Sequence, residues 1–534
     1  MVISKINRVI LCIIDDVRSS HFFEFINKGF LPNFKKLMEN GVYSKTCITD
    51  FPSVTYPTQP TILTGTYTGN FRKEPCHGVP AYHWMDRGLV PPILRDYGGA
   101  GSDEYIQIYK MNDDLGNNCQ TLLEMIGEGN RSSITQLISR GANYLYPESK
   151  FKLVLYYELL SIAFRNKENA KKIMERANTV VIRKILNSFK KPTKYFETNE
   201  VPIGINLWFM SSDVLMHAFG FDSPIYKLNL MHIDKVMGVL LEGLENMGYL
   251  EDTAIAITTD HGNYKLSKRG NITPFFEKIG LTNYHQRKNV KGKVNITEFE
   301  SIGHFHFKGI NKTSNNQAWP RPTLKELECY GPKGVNLFKE LFNLKGTSLM
   351  YYRDESNTHK KGIIHLKRKD EDNGKIFSGM IEYKGIGKDF KTKYISENQD
   401  IDIFGFLVDD IASRMMDDKF HSIDEWNHAT HHLDYALYPD LISRHFKNPR
   451  SADIIISTKG KYTYKTTHGK KKRGSLFTHD IGLRESSVVP LIIGGSPEIP
   501  YKEISYCKST DIVPTLLNLL GKKPHKSVIG NSLI

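Results

Sequence analysis

The earliest strong pattern in the chain is an unbroken aliphatic run, Val9–Ile14, with no polar alternation. Such a run predicts a strand covered on both faces, as in a parallel sheet. Comparable runs recur at Ile205–Met210 (INLWFM), Thr253–Ile257, Asp453–Ser457 (DIIIS) and Val488–Ile493. Between them lie stretches of helical period. Phe34–Asn40 follows Pro32 and is closed by Gly41, Pro60–Thr64 enters a helix, Tyr226–Met247 is long and amphipathic, and Asp511–Leu520 stops at Gly521. Strand, carboxylate and helix follow one another three times, the rhythm of a doubly wound, mostly parallel α/β sheet.

Two tracts break that rhythm. Residues 101–194 carry helical, charge-mixed segments at Leu122–Ile126, Ser133–Ile138 and Asn166–Ser188. Residues 269–444 carry short alternating segments, among them Gly362–Lys367 and Ile376–Tyr383, that predict antiparallel hairpins. The expected organisation is a discontinuous α/β core (1–100, 195–268 and 445–534), a helical insertion at 101–194 and a mixed, hairpin-rich insertion at 269–444. A chain of 534 residues accommodates more than one core.

Composition narrows the classes. Apolar residues make up 40% and charged residues 24%, which suits a folded chain and excludes wholesale disorder. The net charge of +14 favours anionic partners without naming one, and part of it sits in the surface-like runs Lys360–Lys369 and Lys470–Arg473. No nucleic-acid motif stands out. The six cysteines (12, 47, 76, 119, 329 and 507) show no CxxC pair and no zinc-finger spacing, which predicts a reducing compartment. The first apolar run is short and ends in two aspartates, unlike a signal peptide. Phe151–Phe164 is apolar but too short to span a bilayer, so no transmembrane helix and a cytoplasmic location are expected.

The candidate chemistry sits at the strand ends. Asp15 ends the first strand, Asp213 and His217 follow the second at helical spacing, and Asp260 and His261 end the third. Open α/β sheets bind ligands at the carboxyl ends of their strands. An aspartate there is commonly the N-cap of the next helix, and a lone histidine is commonly structural. Three strand ends carrying this set instead suit a pair of Zn²⁺-like sites with oxygen and imidazole ligands. Between the first two lies a hydroxyl-rich, proline-bracketed turn, Phe51–Gly65 (FPSVTYPTQPTILTG), centred on Thr55.

Five segments carry a resemblance: IIDDVR, TYPTQPTILTG, DVLMHAFG, TTDHGNY and STDIVPTLLNLLG. In this order they resemble the alkaline phosphatase superfamily, nearest its type I phosphodiesterase/nucleotide pyrophosphatase branch. The resemblance covers the core blocks and not the two insertions. It implies an alkaline-phosphatase-like core and a phosphoric ester hydrolase with Thr55 as nucleophile, passing through a phospho-threonine. It also implies two divalent ions, Zn²⁺ first with Mn²⁺ and Mg²⁺ open. One would be held by Asp15, Asp260 and His261, the other by Asp213, His217 and a late histidine, with Thr55 at the metals. His479, ten residues before Val489, has the expected spacing for that late ligand, and His468 in Thr467–Gly469 is the alternative. His77, in a His-Gly pair, takes a structural place. The implied substrate is a small phosphoester or nucleotide, either a phosphodiester or a nucleotide pyrophosphate.

The chain also departs from the family pattern. Thr58 stands where an asparagine is expected three residues after the nucleophile, which makes it the candidate substrate-binding residue. No Cys/Ser-x-Pro-x-Arg nucleophile context surrounds Thr55, as sulfatases require. Phosphomonoester, phosphonate or sulfatase-like chemistry, and an inactive binding protein on the same fold, remain as alternatives.

Overall fold

The protein is described here by a computed structural model covering residues 6–97, 107–149, 151–152, 167–284, 289, 291–297, 299–310, 315, 317–398, 401–466, 476–480 and 482–534. Its centre is a nine-stranded sheet built from β1 (Arg8–Ile14), β2 (Val42–Ile48), β3 (Arg131–Ile134), β4 (Tyr144–Tyr146), β5 (Gly204–Phe209), β6 (Thr253–Thr259), β7 (Val488–Gly495), β8 (Lys502–Ile504) and β9 (Cys507–Lys508). The order is β8-β2-β7-β6-β1-β5-β3-β4, with β9 also paired to β2. Every pairing is parallel except those of β7 with β2 and β6. This is the mostly parallel α/β sheet that the strand–helix rhythm predicts.

Alternation along the strands explains the layering. Val9, Leu11 and Ile13 of β1 face one apolar layer, whereas Ile10, Cys12 and Ile14 face the other. On the first side pack α3 (Thr55–Thr64), through Ile62 and Leu63, and the last helix, Ile512–Leu519. On the second side pack α1 (Ser19–Asn27), α2 (Pro32–Glu39), α4 (Lys167–Lys190) and α6 (Pro224–Asn246), while α5 (Ser211–Phe219) follows β5 directly. Both faces of β1 are therefore dry, and each fully buried aliphatic side chain contributes about 1.5–3 kcal/mol.

A second, antiparallel sheet of eight strands stands beside the first, in the order 294–295, 302–307, 454–457, 349–353, 361–369, 376–384, 391–396 and 421–422. The hairpin pattern read from 362–367 and 376–383 is found there. The aliphatic strand Ile454–Ser457 also belongs to this sheet and not to the central one, between Ile302–Phe307 and Leu349–Arg353. A short aliphatic run marks a strand with both faces covered, and the middle of an antiparallel sheet satisfies that as well as a parallel core does. Ser133–Ile138 is likewise not a helix. It starts in β3, whose Ser132 and Ser133 are buried by their place in the sheet, beside β5. Residues 101–194 thus add two strands, β3 and β4, to the central sheet as well as the helix α4.

Most of the apolar stretch Phe151–Phe164 lies outside the described residues, as do Lys470–Arg473. Among the described residues, no helix is long and apolar enough to cross a membrane.

Candidate active site

Three neighbouring strands bring the site together. In register, Ile14 of β1 pairs with Phe209 of β5 on one side and with Thr259 of β6 on the other. The residues that follow these ends therefore emerge side by side: Asp15, the start of α5 with Asp213, and Asp260–His261. Asp213 and His217 share one face of α5, with His217 Nε2 3.2 Å from Asp213 Oδ1. His479 arrives on a loop whose Phe477–Thr478 pairs antiparallel with Tyr264–Lys265, just beyond His261. Its ring lies 4.0 Å from that of His261, and its Nε2 is 3.7 Å from Asp213 Oδ1.

Thr55 enters from the opposite apolar layer. The loop after β2 is tied to the strand ends by Thr49, whose hydroxyl donates to the Asp260 carbonyl (2.8 Å), and by Ser53, which bonds Ser486 (2.8 Å) and the His479 carbonyl (3.4 Å). Thr55 is the first residue of α3, preceded by Val54, which offers no side-chain cap. The first N–H groups of a helix have no partner within it, which places those of Thr55 and Tyr56 at the open end of α3. Thr55 Oγ1 lies 3.1 Å from His261 Nε2, with Thr55 only 8% exposed. Thr61, one helical face further back, shares a buried network with Asp50 (2.7 Å) and His77 Nε2 (3.0 Å). His77 is a support beneath the helix.

The carboxylates are crowded and dry. Asp15 accepts from Trp208 Nε1 (3.0 Å) through Oδ2, while its buried Oδ1, 3.5 Å from His261 Nε2, has no hydrogen-bond partner. Burial, then Asp260, Asp213 and Asp16, push the Asp15 carboxyl well above the usual carboxylate range. Asp260 is fully engaged: Oδ2 accepts from Gln59 (2.9 Å), and Oδ1 accepts from the backbone N–H groups of Asp16 and His261. Burial opposes charge on His217 and His261. Asp213 more than offsets it at His217, raised to about 10, and Asp260 with Asp16 does so at His261, raised to about 9. His479, buried beside those two rings, is held well below the ordinary histidine value.

These side chains fit divalent cations. The ligand atoms of Asp213, His217 and His479 lie within 4.8 Å of one another, and so do those of Asp15, Asp213 and His261. Asp213 Oδ1 and Asp15 Oδ1 are buried oxygens without a hydrogen-bond partner, a costly state that a bound cation relieves. Asp213 belongs to both groups, whereas the sequence assigned it to one. Asp260 joins neither tight group, its oxygens being taken up by Gln59 and backbone amides. His468 lies outside the described residues.

Thr58 departs from its expected role. Its hydroxyl donates into its own helix, to the Val54 carbonyl (2.7 Å) and toward that of Thr55 (3.3 Å), and the residue is wholly buried. It is not placed as a substrate donor. Sequence reasoning gave no role to Asp16, Gln59, Trp208 and Glu300, noting only that Asp16 stands beside Asp15 at the end of the first strand. The first three sit inside or beside recognised motifs, with the Asp15–Asp16 doublet as the available signal. Glu300 precedes a strand of the second sheet, and nothing in its sequence context points to the site.

The sequence profile of the type I phosphodiesterase / nucleotide pyrophosphatase family matches residues 9–330, a span that holds Asp15, Thr55, Asp213, His217, Asp260 and His261. An uncharacterized pyrophosphatase/phosphodiesterase of Schizosaccharomyces pombe is 23% identical over 254 residues, which are 48% of this chain and 44% of that protein. The match thus spans less than half of that relative. Two solved structures share the fold over nearly the whole chain. Murine ectonucleotide pyrophosphatase/phosphodiesterase 5, as an inactive variant in complex with AMP, has a TM-score of 0.52 and 14% identity, covering 97% of this chain and 96% of its own. The human protein of the same name has a TM-score of 0.53 and 15% identity, covering 97% and 95%. By the profile, which spans more than half of its length, the chain belongs to the type I phosphodiesterase / nucleotide pyrophosphatase family.

Proposed function

We propose that the chain hydrolyses phosphodiesters or nucleotide pyrophosphates by way of a phospho-threonine at Thr55. The observation that carries this reading is the convergence of Thr55 Oγ1 and the metal-fitting cluster at one point, 3.1 Å from His261 Nε2. Asp15 and His261, with Asp260 beside them, would hold one divalent cation, and Asp213, His217 and His479 the other, Zn²⁺ being the best match to this donor set. Bound there, such ions stabilise charge on a transferring phosphoryl group and favour the deprotonated hydroxyl.

The chain's own groups do the rest. Thr55 Oγ1 attacks phosphorus in line, its proton passes to solvent water as the Oγ1–P bond forms, and the bond to the leaving oxygen breaks, that oxygen taking up a proton from water. The N–H groups of Thr55 and Tyr56 at the start of α3 face a phosphoryl oxygen, with the helix dipole adding to their pull. Water then attacks the same phosphorus, the Oγ1–P bond breaks, a proton from the water returns to Oγ1, and the phosphoryl product leaves. Supporting a nucleotide as substrate, the murine relative was solved with AMP.

The test is a metal analysis joined to an assay of bis-p-nitrophenyl phosphate, p-nitrophenyl phosphate and p-nitrophenyl sulfate. Diester turnover that is lost on chelation and restored by Zn²⁺ is expected. Preferred turnover of the monoester or sulfate would transfer the reading to the corresponding alternative. Absence of metal and of all turnover would leave an inactive binding protein on this fold.

A further inference from the structure

Each histidine of the site has two ring nitrogens, and the one turned away from the cluster is as informative as the one turned toward it. His217 directs Nε2 at Asp213, and its Nδ1 is held by the Phe477 carbonyl at 2.9 Å. His261 directs Nε2 at Thr55 and Asp15. Its Nδ1 faces the Gly262 carbonyl (3.2 Å) and Asp16 Oδ1 (3.7 Å). His479 directs Nε2 at Asp213. Its Nδ1 has no hydrogen-bond partner, and the nearest acid is Glu300 Oε2 at 3.8 Å, which has none either.

Asp16 is an unusual residue in its own right. It is wholly buried, its φ of 58° lies in the left-handed region, and neither carboxylate oxygen has a hydrogen-bond partner. Its backbone is pinned: the carbonyl accepts from the Tyr226 hydroxyl (2.9 Å) and Asn263 Nδ2 (3.2 Å), and the N–H donates to Asp260 Oδ1 (3.2 Å). Aspartate enters this region when its carboxylate bonds locally, which Asp16 does not do, and glycine would take the same φ without strain. Packing gives no reason for an aspartate either, because a buried carboxylate without donors destabilises unless a positive group compensates it.

We infer that Asp16 and Glu300 are positioning residues, outer carboxylates that orient His261 and His479 so that each presents its inner nitrogen to a bound cation. This rests on the metal-binding reading above. A carboxylate beside Nδ1 favours the tautomer with the proton on Nδ1, leaves the Nε2 lone pair facing inward, and makes it a stronger donor. At His217 and at His261 a backbone carbonyl, Phe477 or Gly262, already bonds Nδ1, so Asp16 adds negative charge beside the His261 ring, while Glu300 is the acid that faces the unpartnered Nδ1 of His479. The two carboxylates come from unrelated places, the end of β1 and a loop of the second sheet, so the arrangement also links the second sheet to the metal site.

The experiment is chelator-competition titration of Zn²⁺ with the full-length wild type, Asp16→Gly, Asp16→Asn and Glu300→Gln, beside thermal melting of each metal-free protein. Loss of an outer carboxylate is expected to weaken zinc binding by about 10- to 100-fold. Asp16→Gly relieves the left-handed φ, so its metal-free form should melt at or above the wild-type temperature. A merely structural role would give the opposite pair of results. Zinc affinities within two-fold of wild type for both Asp16→Gly and Glu300→Gln would overturn the inference. A wild type that binds no zinc would instead overturn the metal-binding reading on which it rests. Glu300→Gln, at a partly exposed site, keeps the question answerable if an Asp16 variant fails to fold.

Discussion

Thr58→Val separates two accounts of how the site handles phosphoryl charge. Valine is nearly isosteric with threonine, so the change removes one hydroxyl and adds a methyl at a wholly buried position. The lost hydrogen bond to the Val54 carbonyl contributes about 1 kcal/mol. That carbonyl still accepts from the Thr58 backbone N–H at 3.3 Å, so no acceptor is stranded. The added apolar group returns up to about 0.8 kcal/mol. The two nearly cancel, and stability should stay within about 1 kcal/mol of wild type. Because the hydroxyl points into the helix, kcat for a diester should change by less than about three-fold, well under 1 kcal/mol of barrier. If the hydroxyl were the second oxyanion donor, its loss would cost about 10²- to 10³-fold in kcat. Steady-state kinetics with bis-p-nitrophenyl phosphate, alongside urea unfolding, distinguishes these outcomes. A fall in kcat of two decades with unchanged stability would refute the assignment of Thr58 to the helix backbone.

Other consequences are equally direct. Asp453 accepts from Arg87 (3.0 and 2.6 Å), Arg321 (2.8 Å) and the Phe307 N–H (2.7 Å) in a buried setting, so Asp453→Asn, which leaves two guanidiniums without their counter-charge, should cost about 3–5 kcal/mol in urea unfolding; a loss below about 1 kcal/mol would contradict this. His445 is wholly buried, neither ring nitrogen has a hydrogen-bond partner, and burial lowers its pKa to about 3. Its neutral form favours folding above the unfolded value near 6.5, and that contribution, on the order of 5 kcal/mol, drains away as pH falls toward 3. His445→Phe should flatten the acid limb of the stability profile, and an unchanged limb would count against it. Measured zinc content should fall in His479→Ala and hold in His468→Ala; the reverse would exchange the two histidines.

Much of this was legible because strand-end chemistry is local. The run before Asp15, the four-residue spacing of Asp213 and His217, and the Asp260–His261 pair each announce themselves within a few residues. Parallel register then brings them side by side with no further information. The Ile454–Ser457 strand was misplaced because burial on both faces looks the same in either kind of sheet. β3 was misread because Arg131–Ile134 carries two serines that only the sheet position buries. Thr58 was a candidate only because it stands where the family has an asparagine, and no sequence spacing shows that its hydroxyl bonds its own helix. Glu300 was illegible for a different reason: its relation to His479 spans the two sheets and has no counterpart in sequence spacing.

The most direct test of the central claim is to quench diester turnover in acid and look by peptide mass spectrometry for a phosphoryl adduct. The account requires the adduct on Thr55, and its disappearance in Thr55→Ala together with a loss of turnover of about 10³-fold or more. An adduct on Ser53 or another residue, or full turnover by Thr55→Ala, would contradict it.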